Sequence, residues 1–96
     1  PRTVPAAECL DLGLVTQVVP AEDFDATVRD LATTLAAGPT LAYGSIRRSI
    51  AFSAGHDLAA SLAQEAEFMA LTGASADHHA AVEAFLAKEQ PRFTGQ

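Results

Sequence analysis

His78 and His79 stand side by side, a pair whose residue type could ligate a metal ion. Neighbours in a helix point ~100° apart, so adjacent imidazoles cannot chelate one ion as an i, i+4 pair can. His56 falls on a turn, and neither an H-E-x-x-H motif nor a cysteine cluster exists. The histidines therefore read as surface or helix-start residues, and no metal site is expected. Ser45 follows Gly44, but the G-x-S-x-G elbow is missing and the stretch reads as mid-helix, where Gly44 would permit close helix packing. Glu65 and Glu67 diverge on a helix, while Asp23 and Asp25 lie at a helix start, where negative charge is favourable. Gly13-Leu14-Val15 matches no nucleotide-binding fingerprint. Arg47-Arg48 is expected on a solvated polar face, with contact to one anion as the alternative. No catalytic residue is assigned within these residues.

The elements that would position such groups are helical. Pro5 in a first turn, followed by Ala6-Ala7-Glu8-Cys9-Leu10, predicts a short helix stopped by Gly13. Thr16-Gln17-Val18-Val19 before Pro20 predicts one brief extended segment. Asp23 or a neighbour would cap a second helix, in which Phe24, Val28, Leu31 and Leu35 repeat as a buried stripe until Gly38-Pro39. A third helix runs from about Thr40 to Ala54, with Ala42, Ile46 and Ile50 on one face. Asp57 caps a fourth, striped by Leu58, Leu62, Ala66 and Met69 and ending near Gly73. A fifth begins at Ser75 to Asp77, buries Val82, Phe85 and Leu86, and is broken by Pro91. The fold class expected is mainly α, about five helices with one short extended segment.

Composition narrows the function. The chain has 96 residues and is 49% hydrophobic, but 21 of those residues are alanine, which favours helix and buries little area. The core is therefore expected to be thin and to gain from packing on other protein. A formal net charge of −6 with six basic residues disfavours nucleic acid and anionic membrane surfaces. No apolar run approaches the ~20 residues of a membrane span. One cysteine, Cys9, excludes an internal disulfide and reads as a small buried hydrophobe. A cytoplasmic location is expected.

Three motifs in colinear order resemble one family. Ala7-Glu8-Cys9, then Gly13-Leu14-Val15 and Val18-Val19-Pro20, is similar to the crotonase pattern A-x-E-A…G-L-V-x-x-V-V-P. Leu31-Ala32 and Leu35-Ala36 before Gly38-Pro39-Thr40 resemble its L-A-x-x-L-A-x-G-P-T. Asp77, Val82, Ala84-Phe85-Leu86, Lys88, Pro91, Phe93 and Gly95 resemble its closing D-x-x-E-G-V-x-A-F-L-x-K-R-x-P-x-F-x-G. The stretch from Thr72-Gly73 to Lys88 looks most like the phenylacetate-pathway ring-epoxide acyl-CoA isomerases.

The resemblance to the crotonase (enoyl-CoA hydratase/isomerase) superfamily implies a parent with an N-terminal spiral of ββα turns and a helical C-terminal region that builds trimers or hexamers. Residues 1–22 would close the spiral core, and 23–96 would be the trimerisation and CoA-covering region. Backbone N–H groups upstream of Pro1 would form the oxyanion hole for a thioester enolate, and acidic side chains there would move protons. Acyl-CoA would be the parent's substrate, as a hydratase (lyase) or isomerase, and no cofactor is implied. Phe85 and Lys88 match the positions that reach the adenine and 3′-phosphate of CoA, and three residues apart on a helix they would share a face. Five positions depart from the family: Cys9 for Ala, Ala80-Ala81 for Glu-Gly, Glu89 for Arg, and Arg47 for Lys. Glu89 beside Lys88 should weaken attraction for CoA by on the order of 1 kcal/mol or less. The rival expectation is a stand-alone helical protein-interaction module. In either case the uncovered apolar faces should make the isolated chain self-associate.

Overall fold

The computed structural model describes residues 1–96 and divides them into two compact units, 1–32 and 33–96, each described by itself. In the first unit Pro5 is the N-cap of α1 (Ala6–Asp11), and its carbonyl accepts the Cys9 N–H at 3.0 Å. The helix ends as the Gly13 signal requires. Gly13 has φ +69° and donates to the Leu10 carbonyl, while Leu14 N–H reaches back to Cys9 at 2.8 Å. This paired closure uses a left-handed residue to satisfy carbonyls the helix leaves free.

The expected extended piece at Thr16–Val19 forms no strand. A strand needs a partner to share its hydrogen bonds, and this chain supplies none. A single 3₁₀ turn, Ala21–Asp23, follows Pro20 and leads into α2 (Phe24–Ala36), which crosses the boundary between the units. Asp23 thus lies inside that turn rather than ahead of the helix as its cap, and Asp25 occupies the first turn of α2.

Gly38 and Pro39 separate α2 from α3 (Thr40–Ser53). The Tyr43 ring folds over Gly38 so closely that a Cβ there would come within 2.7 Å of a ring carbon. Asp57 caps α4 (Leu58–Gly73) by accepting the Ala60 N–H at 2.8 Å, and Ser75 caps α5 (Ala76–Ala87) by accepting His78 N–H at 3.0 Å. Both hydroxyl- or carboxylate-capped starts are where the sequence placed them. Each such cap is worth ~1 kcal/mol.

Within the second unit α3 lies along α4, and α4 along α5. The small residue that admits this approach is Ser45, only 4% exposed, whose hydroxyl donates to the Leu41 carbonyl at 3.0 Å. Gly44 does not do so, because a Cβ there would meet only the Arg48 guanidinium, at 3.6 Å. Arg48 itself stands over the Phe68 ring, 5.5 Å from its centre, so it is not simply solvated. A cation over an aromatic face is attracted by the ring's quadrupole.

The apolar stripes are present but uncovered. No hydrophobic side chain in the chain is buried; Phe24, Val28, Leu31 and Leu35 of α2 are all exposed, as are Val82, Phe85 and Leu86 of α5. The expectation that these seven are buried is therefore corrected. Periodicity identifies the face a helix is built to cover, but it does not supply the covering layer. The fifth helix also ends earlier than Pro91. It stops at Lys88, whose backbone turns left-handed at φ 57°.

Candidate functional site

The polar residues singled out from the sequence do not converge. No group of three or more His, Cys, Asp or Glu residues could hold a metal ion. The His78 and His79 rings meet edge to face at 6.0 Å, and His79 Nδ1 lies 2.8 Å from the Ser75 carbonyl, an interaction within the helix start. His56 stacks on Phe52 with ring centres 3.6 Å apart. The Ser45 hydroxyl is engaged with Leu41, and Glu67 accepts from Gln64 at 3.3 Å. Near Pro1, Arg2 forms a two-pronged exposed ion pair with Glu8. The guanidinium holds the Glu8 carboxyl below its ordinary value.

The first unit carries an open apolar hollow of about 450 Å³, lined by Cys9, Val15, Val18, Phe24, Val28 and Leu31 among others. The Cys9 thiol lies 3.9 Å from the Val4 carbonyl and is half-buried rather than buried. Apart from that thiol the hollow offers no group able to move a proton. It is a surface for apolar contact.

The distinctive polar geometry lies around α5. Asp77 is 4% exposed, and its carboxylate accepts three bonds from the C-terminal tail: Thr94 N–H at 2.6 Å, Thr94 hydroxyl at 3.2 Å and Gly95 N–H at 2.9 Å. The Asp77 N–H in turn donates to the Gln96 carbonyl at 2.9 Å. The Thr94 N–H holds the carboxyl below its ordinary value of 3.8; burial pushes it up, and the Gly95 N–H and Thr94 hydroxyl add to the lowering. Bonds made to the charged form favour that form. Gly95 completes the junction with φ +80°, and a Cβ there would stand 2.8 Å from the Thr40 hydroxyl at the start of α3. Sequence reasoning treated Asp77 as a helix-start acid. Gly95 was the available signal, since a glycine near a chain end marks a left-handed turn or a close approach.

At the other end of α5, Phe85 is 80% exposed and Lys88 is exposed beyond the helix. The two do not share a helical face, because Lys88 is the left-handed residue that closes α5. Its N–H donates to Phe85 at 3.2 Å, and Glu89 N–H reaches Ala84 at 2.8 Å, the same closure that Gly13 makes on α1. A non-glycine residue in this conformation costs ~1–2 kcal/mol, so the surrounding structure must impose it.

Comparison with known proteins places this architecture. The family model for enoyl-CoA hydratase/isomerase matches residues 1–96, the whole chain. The chain belongs to the enoyl-CoA hydratase/isomerase family, within the crotonase superfamily. A Rhodobacter capsulatus protein described as "Probable enoyl-CoA hydratase" and the 1,2-epoxyphenylacetyl-CoA isomerase of Escherichia coli are each 37% identical over 91 residues. In each case the match covers 95% of this chain and 35% of the relative. The chain thus spans about a third of the length of these relatives.

Solved crotonase-type structures agree closely. A Mycobacterium abscessus protein assigned to the enoyl-CoA hydratase/isomerase class superposes with a TM-score of 0.96 at 38% identity, over 99% of this chain and 36% of that one. An enoyl-CoA hydratase structure from Geobacillus kaustophilus gives 0.93 at 30% identity, with the same coverage. The helices within each unit thus follow the family's pattern although no hydrophobic side chain is fully buried here.

Proposed function

We propose that these residues serve as the C-terminal helical part of an acyl-CoA hydratase or isomerase, where they cover the CoA site and join subunits. Residues 1–22 close the spiral core in this reading, and residues 23–96 form the lid and assembly surface. Thioester chemistry is assigned to groups outside residues 1–96, and a cytoplasmic location accompanies the assignment. One observation carries it: helices that carry Phe24, Val28, Leu31 and Leu35, and Ile46 and Ile50, in helical register bury no hydrophobic side chain among themselves. Such faces are built to be covered by other protein. The lack of any paired acid and base points the same way.

Phe85 and Lys88 are proposed to contact CoA. An exposed aromatic ring and an exposed cation at the same end of α5 suit an adenine and a phosphate of one ligand. Glu89 lies next to Lys88 and would moderate that attraction. The test is a chimera of the Mycobacterium abscessus protein in which these 96 residues replace the matching third. The chimera should turn over crotonyl-CoA or 1,2-epoxyphenylacetyl-CoA, and Lys88→Ala should raise KM severalfold with kcat little changed. Turnover by the 96 residues alone would overturn the assignment of chemistry elsewhere. An unchanged KM in both Lys88→Ala and Phe85→Ala would overturn the CoA contact.

A further inference from the structure

The tail after α5 reverses and runs back to the beginning of the same helix. Twelve helical residues span roughly 18 Å at ~1.5 Å each. The six steps from Lys88 to Thr94 can reach roughly 20 Å at ~3.3 Å each, enough to return to the start of the helix. The tail's Thr94 and Gly95 then meet Asp77, the second residue of α5. Between these ends, Ala80, Ala84 and Ala87 line a shallow hollow with Glu89, Pro91 and Arg92. Small side chains on that face of α5 let the returning segment lie close.

We propose that Asp77 is a positioning residue: by clamping Thr94 and Gly95 it fixes the far end of the returned tail, and so keeps Lys88 in the left-handed turn. The two unusual features of this region then become one device. Lys88 adopts a backbone conformation that lysine disfavours. It can persist only while something fixes the chain beyond it, and the only buried carboxylate of the molecule does so. Gly95 secures the same end from the α3 side: its left-handed backbone disfavours a side chain, and a Cβ there would press on the Thr40 hydroxyl at 2.8 Å. What Lys88 is presented to rests on the CoA reading above; the clamp and the turn do not.

Amide hydrogen exchange tests this at a distance. In Asp77→Asn the amide keeps one acceptor oxygen, which can still serve Thr94, and turns its N–H₂ on the Gly95 N–H, so exchange at Gly95 should quicken at least ~tenfold, the scale of one lost bond to a charged group. The informative amide is Glu89, whose bond to Ala84 closes the turn at the far end of α5. It should quicken by a similar factor while amides in the middle of α4 stay unchanged. Adding Lys88→Gly, which suits the left-handed turn, should restore the Glu89 protection. Should Asp77→Asn unsettle the whole chain, Gly95→Ala frees the tail with Asp77 intact, and the same response at Glu89 is expected. An unaltered Glu89 rate in both variants would overturn the proposal, even with the tail released. A separate measurement of CoA affinity in the chimera distinguishes the two readings. Glu89 responding while affinity stays constant sinks the CoA contact and leaves the clamp standing.

Discussion

The Asp77 carboxylate and the Thr94 backbone N–H lie 2.6 Å apart across seventeen residues of sequence. With the Gly95 and Gln96 bonds, this bond ties the start of α5 to the chain's C-terminal segment. Because the carboxylate is buried and accepts two backbone N–H groups and a hydroxyl, its charge is an integral part of the local structure.

A pH dependence follows directly. The folded pKa of Asp77 lies below the ordinary 3.8, so the clamp contributes stability that is present above about that pH and is lost as pH falls through the lowered folded value. Chemical shifts of Thr94 and Gly95 followed from pH 6 downwards should remain constant through the ordinary aspartate range and move only below it. A midpoint at or above 3.8 would contradict the clamp.

Helix starts should respond to loss of their caps. Asp57→Ala and Ser75→Ala each remove a side-chain acceptor from a helix N–H. Each should cost ~1 kcal/mol in denaturant unfolding. Asp57→Gly should cost only a few tenths more than wild type.

Gly13 should resist replacement. Its φ of +69° suits the closure of α1, and open space surrounds the site, so the cost of Gly13→Ala comes from the backbone alone. A loss of ~1 kcal/mol is expected, with Gly13→Asn less damaging because asparagine tolerates the left-handed region. Gly38→Ala should cost more, because there a Cβ collides with the Tyr43 ring.

Exposed apolar residues offer the opposite kind of test. Ile50 on α3 and Leu58 on α4 are large hydrophobes left uncovered. Replacing either by serine should change the unfolding free energy of the isolated chain by no more than ~0.5 kcal/mol. In the chimera the same changes should lower stability or assembly by ~2 kcal/mol or more if these side chains become covered. Equal small effects in both settings would show that those faces stay free.

Much of this architecture was legible because its signals are local. Asp57, Ser75 and Gly13 act within one helical turn of their own position, and each does what its residue type implies. The family resemblance was readable for a related reason, since Gly13 and Gly95 hold left-handed backbone and Gly38 lies under the Tyr43 ring. Burial was not readable. The spacing of Phe24, Val28, Leu31 and Leu35 encodes a face, but whether anything lies over it depends on protein the spacing does not describe. The Lys88 turn was missed because lysine is an ordinary helix residue, and the expected pairing with Phe85 assumed that the helix continued to Pro91. The Asp77 clamp was missed because an acid at a helix start already has a sufficient local explanation.

The central claim is that these helices are a covering and assembly surface whose apolar faces require other protein. Sedimentation velocity on the isolated 96 residues over a hundredfold range of concentration tests it most directly. The account predicts that the weight-average sedimentation coefficient rises with concentration as uncovered faces find one another. A single monomeric species throughout that range, unfolding cooperatively with the stability of an ordinary domain, would contradict it.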